Sequence, residues 1–207
     1  MSHSQRDEGV VKYHAIHQNA KSPDHPLLDQ LDQVRTDLFD LGLIGLYPDG
    51  IGYGNVSIRC DSGCIISGTA TGGRRILGVD GYCYVQSYNI EKNLVFTRGP
   101  VNASSEAMTH CAIYQADPLI KCVLHIHSKV LWEALLNQEY DSTSADIPYG
   151  TPQMAMSIAV LVKAGKKFSD LIVMAGHEDG IVAYGQTIPS AFQQIKMILP
   201  NKLKGPK

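Results

Sequence analysis

Hydrophobic positions along the chain switch between the spacing of amphipathic helices and the short apolar runs of strands. Leucine and valine recur every three to four residues from Leu27, and this spacing predicts an opening helix that ends before Gly45. The same periodicity and turn signals predict later helices at residues 105–115, 129–136, 152–164 and 188–199.

Short runs rich in β-branched and aromatic residues separate these helices and predict strands. They lie at residues 54–60, 64–67, 83–87, 94–97, 122–127, 171–175 and 181–184. From this order of elements we expect an α/β fold, an α/β/α three-layer sandwich with a central, mainly antiparallel sheet and helices on both faces. The first 26 residues show little periodicity, so we expect a loose N-terminal arm over residues 1–26 and a single domain over residues 27–207.

The composition is that of a globular protein and argues against several classes of function. At 207 residues and 44% hydrophobic content, the chain can bury a full core. A net charge of −2 without dense basic clusters argues against nucleic acid or a membrane surface as the main partner. No apolar run approaches the roughly 20 residues that span a bilayer, and the first residues do not form a signal peptide. We therefore expect a cytosolic protein whose five cysteines are reduced.

The pair His125 and His127 is the strongest chemical feature of the sequence. Alternate side chains share one face of a strand, so both imidazoles can approach one ion while Ile126 points into the opposite layer. A catalytic zinc typically has about three protein ligands and one open position, and His177, between two predicted strands, is the candidate third ligand. The alternative is a structural role, in which the imidazoles are hydrogen-bonded within the core.

Glu106 is the candidate general base. It falls in the first turn of the helix predicted over residues 105–115, where a glutamate can also serve only to stabilise the helix dipole. The nearby histidines favour the chemical role. His110, one turn further on, is expected to pack beside the site, although together with Glu106 it could form a small two-ligand site on one helical face.

Glycines and small polar side chains form a candidate phosphate site. Glycine permits close approach of the backbone to a ligand, and uncharged donors can hold a phosphate without a nearby lysine. Ser104 can instead cap the helix and Gly54 can mark a bulge, although free amides at a helix N-terminus also bind anions. The candidate residues are Gly54, Asn55, Ser57, Gly68, Thr69, Ser104 and Ser105.

The order of these blocks resembles the class II aldolase and adducin N-terminal domain family, which includes fuculose-phosphate aldolase. Two blocks resemble the phosphate loops of the family, and the others resemble its serine pair with an acid/base glutamate, its metal strand, the start of its next helix and its third metal histidine. They are YGNVSIR (53–59), ISGTATGG (66–73), SSE (104–106), HIHS (125–128), PYGTP (148–152) and GH (176–177). The resemblance covers residues 27–198.

The resemblance implies a metal-dependent aldolase that holds a divalent ion, zinc, at His125, His127 and His177. Such an enzyme cleaves a ketose phosphate through a metal-bound enediolate, with Glu106 moving the proton. A homotetramer acting on a small phosphorylated sugar is also implied. The alternatives within the family are a sugar-phosphate epimerase, a methylthioribulose-phosphate dehydratase, a decarboxylase, and a non-catalytic, adducin-like oligomerisation module.

Overall fold

The computed structural model describes residues 9–165 and 169–200, and these residues form five α-helices and eleven strands. In chain order the elements are β1 (His14–Asn19), α1 (Leu28–Asp40), β2 (Gly45–Leu46), β3 (Gly52–Tyr53), β4 (Asn55–Cys60), β5 (Gly63–Ser67), β6 (Tyr82–Asn89), β7 (Leu94–Gly99), α2 (Ala107–Ala116), β8 (Cys122–His127), α3 (Lys129–Leu136), β9 (Asp141–Ser142), α4 (Pro152–Ala164), β10 (Leu171–Val173), β11 (Gly180–Gly185) and α5 (Ile188–Ile198). A short 3-10 turn, Val79–Gly81, precedes β6.

Nine of the strands form one mixed sheet in the order β1-β7-β6-β5-β4-β8-β11-β10-β9, and β2 pairs with β3 as a separate hairpin. The pairs β1–β7 and β9–β10 are parallel, and the other neighbours in the large sheet are antiparallel. Helices cover both faces, which confirms the predicted three-layer α/β architecture with a mainly antiparallel sheet.

The two faces of the sheet carry separate hydrophobic cores. Buried residues of α1, α3 and α5 pack on one face, and those of α2 and α4 pack on the other. Along β8, Leu124 and Ile126 belong to the first core and Val123 belongs to the second. Because side chains alternate along a strand, His125 and His127 lie on the α2 and α4 side, and Ile126 occupies the opposite layer as predicted.

The N-terminal region is more ordered than its sequence pattern indicated. Residues 14–19, placed in the expected loose arm, form the edge strand β1, which pairs in parallel with β7. Most β1 side chains are exposed, so no alternation of hydrophobic and polar residues identifies the strand. Backbone hydrogen bonds to β7 hold it instead. Residues 1–8 of the predicted arm lie outside the described residues.

The five cysteines are all buried, and none of them forms a disulfide. Among the described residues, no helix has both the length and the apolar character needed to cross a membrane.

Candidate metal centre and adjoining pocket

Three buried histidines converge at one end of the central strands. β8 supplies His125 and His127, and His177 comes from the turn that connects β10 to β11. This turn lies beside the end of β8 because Gly180, the first residue of β11, is paired with His127. One nitrogen from each imidazole lies within 4.8 Å of the other two, so the candidate ligands from distant parts of the sequence are brought together.

Hydrogen bonds on the outer nitrogens orient two of these rings. His125 Nδ1 lies 3.2 Å from the carbonyl oxygen of Ile181, which can only accept, so Nδ1 carries the proton and Nε2 carries the lone pair. His127 Nδ1 lies 2.8 Å from the Tyr47 hydroxyl, which in turn lies 3.5 Å from Asp179 Oδ2. Such outer contacts fix the tautomer and orientation of a metal-binding histidine.

The distance between two of the imidazoles and the pKa of His125 fit a divalent metal. The Nε2 atoms of His125 and His127 are 2.9 Å apart. Two zinc–nitrogen bonds at a tetrahedral angle would place them about 3.3 Å apart, which requires only a small adjustment. Burial, followed by the proximity of His177 and His110, lowers the pKa of His125 well below its ordinary value. A neutral imidazole is the form that binds a metal, so His125 is in the required form. The arrangement of all three histidines would allow them to hold a divalent ion.

The carboxylate of Glu106 lies beside this cluster. It is buried, and its Oε1 is 3.9 Å from His177 Nδ1. α2 begins at Ala107 and Glu106 occupies the N-cap position, so the helix predicted from residue 105 starts two residues later. The Tyr13 hydroxyl donates to the carbonyl oxygen of Ser104, 2.9 Å away, and fixes the segment that leads into Glu106. A buried carboxylate in this position can exchange a proton with a molecule bound at the histidine cluster.

A cavity of about 380 Å³ adjoins the histidine cluster. Its walls include six of the seven predicted phosphate-binding residues: Gly54, Asn55, Gly68, Thr69, Ser104 and Ser105. The described residues that line it are all uncharged. Asn55 is paired with His125 across β4 and β8, and Ser105 directly precedes Glu106, so the cavity wall includes direct neighbours of the candidate metal centre.

Ser57 is the predicted phosphate-binding residue that the cavity does not include. Its hydroxyl is fully buried and lies 2.7 Å from both His110 Nδ1 and the Tyr114 hydroxyl. Two groups of α2 therefore cover Ser57, although it lies on the same face of β4 as Asn55. Burial lowers the pKa of His110 to about 3, so this imidazole stays neutral and has the packing role expected for it.

Tyr47 carries no signal in the local sequence pattern. It follows β2 and contacts His127 only because the β2–β3 hairpin folds over the end of β8.

Tyr149 stacks on the His177 ring with centroids 4.4 Å apart, and the Lys12 ammonium lies 3.9 Å from the centre of the tyrosine ring. The block at residues 148–152 pointed to this tyrosine region but not to the stacking. Gly72 lines the cavity, but the sequence pattern marked it only as one residue of the second glycine-rich block, residues 66–73.

The molecule therefore combines an α/β/α fold with three clustered histidines that could hold a metal ion, a buried glutamate and an uncharged cavity. The model of the Class II Aldolase and Adducin N-terminal domain matches residues 48–199. The chain belongs to this family. None of the curated proteins compared with the chain matches it significantly.

Solved structures with the same fold include enzymes of sugar-phosphate chemistry. L-fuculose-1-phosphate aldolase from Thermus thermophilus is 20% identical, with a TM-score of 0.61 over 83% of this chain and 88% of that chain. A sugar-phosphate aldolase from Thermotoga maritima is 15% identical, with a TM-score of 0.60 over 82% and 88%. YgbL from Escherichia coli, provisionally described as an aldolase/epimerase/decarboxylase, is 20% identical, with a TM-score of 0.58 over 82% and 83%. At these identities the likeness concerns the fold.

Proposed function

We propose that the protein is a metal-dependent lyase of the aldolase type that cleaves a ketose phosphate. The observation that carries this proposal is the convergence of three buried histidine nitrogens within 4.8 Å of one another, with the Glu106 carboxylate 3.9 Å from His177 Nδ1. The T. thermophilus and T. maritima neighbours support the choice of a sugar phosphate as the substrate class.

The chemistry divides between the ion and the side chains around it. A divalent ion, which we propose to be zinc, would be held by His125, His127 and His177 and would act as a Lewis acid toward a substrate carbonyl. Glu106 accepts and returns the proton that moves when a carbon–carbon bond breaks or forms. Its burial excludes bulk water from this transfer and strengthens the electrostatic interactions around it.

The adjoining cavity would hold the phosphate group. Backbone amides near Gly54 and Gly68, together with Asn55, Thr69, Ser104 and Ser105, provide uncharged donors. Binding energy from this remote group positions the reacting carbons at the histidine cluster. We further propose a cytosolic homotetramer, as the family resemblance implies. Epimerisation, dehydration and decarboxylation by related chemistry are the alternatives that product analysis must separate.

The test combines metal analysis with a panel of ketose phosphates, scored separately for dihydroxyacetone phosphate release, epimerised product and loss of water. We expect about one metal ion per chain and cleavage of one substrate. Glu106→Gln keeps the size of the side chain and removes its basicity, so it should lower kcat about a thousandfold and leave the metal in place. Glu133→Gln, on the exposed face of α3, is the matched control and should leave both unchanged.

Three outcomes would contradict the proposal in different ways. Full activity of the Glu106→Gln variant would contradict the proton-transfer role proposed for this carboxylate. Stoichiometric metal without a product from any ketose phosphate would favour a decarboxylase or a non-catalytic oligomerisation module. A protein that binds no metal would contradict the assignment of the three histidines.

A further inference from the structure

A buried arginine supports the turn that forms one wall of the cavity. Arg35, on α1, is almost fully buried, and its guanidinium donates to three backbone carbonyl oxygens. The acceptors are those of Thr71, at 2.9 Å, Arg74, at 2.7 Å, and Arg75, at 3.2 Å. A planar guanidinium with several donors fixed in one fork can hold these carbonyls in a single arrangement, which a lysine cannot reproduce.

The bond to the Thr71 carbonyl determines the direction of the next amide. The chain has no cis peptide bond among its described residues, so the carbonyl of Thr71 and the N–H of Gly72 point in opposite directions. Because Arg35 holds that carbonyl, the Gly72 N–H points away from the guanidinium, and Gly72 is part of the cavity wall.

Two amides of this turn are available to a ligand. Neither the Ala70 N–H nor the Gly72 N–H donates a hydrogen bond within the described part of the chain. Ala70 has a positive φ of 57°, and turns with this backbone conformation can form concavities that bind anions through successive amides. The turn therefore has the form of an anion site, and three of its carbonyls, those of Thr71, Arg74 and Arg75, are directed toward Arg35.

Other groups of α1 hold the same segment. The Thr36 hydroxyl donates to the carbonyl oxygen of Arg75 at 3.3 Å, and Asp32 Oδ2 accepts from the Gly78 amide at 3.1 Å. Of these three α1 side chains, Arg35 is the one bonded to Thr71, whose peptide group leads into the cavity wall. The described residues of that wall carry no charge. Arg35 adds a positive charge behind the turn to those of Arg74 and Arg75 within it, and Asp32 of α1 partly offsets the charge of Arg35.

We propose that Arg35 is a positioning residue that makes the cavity select phosphorylated over unphosphorylated substrates. This inference rests on the proposed function and adds to it the source of discrimination. Arg35 acts through the turn at residues 70–75, orienting its amides toward the phosphate and strengthening their field with its charge. It does not contact the substrate.

The experiment measures the affinity of the metal-loaded protein for inorganic phosphate by isothermal titration calorimetry. Arg35→Lys keeps the positive charge but loses the planar set of guanidinium donors, and Arg35→Met loses both the charge and the donors. We expect phosphate affinity to fall about tenfold in the lysine variant and further in the methionine variant. KM for a ketose phosphate should rise in parallel, while kcat/KM for the unphosphorylated ketose should stay within about twofold of wild type.

Arg59→Lys is the matched control. Arg59 also donates to three backbone carbonyls, those of Ile120, Tyr114 and Asp117, but these lie at the end of α2 and not at the cavity. It should lower thermal stability as Arg35→Lys does and leave phosphate affinity unchanged. A purely structural role of Arg35 would make the two lysine variants behave alike.

Either of two results would overturn the inference. One is wild-type phosphate affinity in a folded Arg35→Lys or Arg35→Met variant. The other is wild-type protein that does not bind phosphate at all, which would also contradict the assignment of the cavity to phosphate. Failure of the proposed lyase activity would be distinguishable, because phosphate affinity and metal content are measured without turnover of any substrate.

Discussion

The candidate metal centre and the proposed phosphate cavity adjoin each other but use different parts of the polypeptide. The candidate metal centre consists of three buried side chains, two on one strand and one in a turn, and neighbouring groups hold an outer nitrogen of His125 and of His127. The cavity wall consists mostly of backbone and very small side chains from several loops. The first site depends on the chemistry of individual side chains. The second depends on the conformation of turns, so substitutions should affect the two sites in different ways.

Removal of one imidazole of the candidate metal centre should have the largest effect on metal content and activity. We expect His127→Ala to lose its metal and at least about a thousandfold of activity, because two ligands do not retain a catalytic zinc at ordinary metal concentrations. Metal analysis and initial rates on the same sample test this expectation. His14→Ala, on the exposed edge strand, is the control. A fully metallated His127→Ala variant would show that the centre does not depend on this side chain.

The same difference explains which parts of the site could be predicted from the sequence. The period of two along β8 placed His125 and His127 on one face, and flanking strands brought His177 to the sheet end. Tyr47 could not be predicted, because its contact with His127 depends on how a distant hairpin folds over β8. Local spacing determines the ligand face, whereas the groups that orient the ligands come from long-range packing.

The residues that line the proposed phosphate cavity were predicted less completely for a related reason. The period of two along β4 places Asn55 and Ser57 on the same face, but His110 and Tyr114 of α2 cover Ser57 and leave only Asn55 in the cavity wall. The layers of the fold followed from periodicity, whereas β1 carries no such signal because most of it is exposed. The position of α2 over Ser57 depends on long-range packing, which the local sequence pattern does not predict.

A side chain added at a crowded glycine of the cavity wall should weaken substrate binding without changing the metal content. A Cβ at Gly72 would lie 2.3 Å from the Gly45 carbonyl oxygen and 2.9 Å from Gly52 Cα, so the turn must move. Overpacking of this kind typically costs about 1–3 kcal/mol. We expect Gly72→Ala to raise KM for the phosphorylated substrate about thirtyfold and to retain full metal content, as measured by steady-state kinetics and metal analysis.

Gly73→Ala provides the matched control for that change. Its Cβ would meet only the end of the Leu46 side chain, at 2.7 Å, which can rotate away. We therefore expect nearly normal kinetics and stability. Loss of metal in Gly72→Ala, or equal effects in the two variants, would mean that the cavity and the metal centre do not respond separately.

The smallest effect should come from an outer group of the metal centre. Tyr47→Phe removes the hydroxyl that lies 2.8 Å from His127 Nδ1 and keeps the ring, so the imidazole loses one constraint on its tautomer and orientation. Loss of such outer contacts typically lowers metal affinity about 10–100-fold, and we expect about tenfold here, measured by competition with a chelator. Tyr53→Phe is the control, because that ring also lies beside His127 but its hydroxyl donates to the Gly42 carbonyl oxygen. If both variants weaken the metal equally, the aromatic packing around His127, and not the hydroxyl, sets the affinity of the centre.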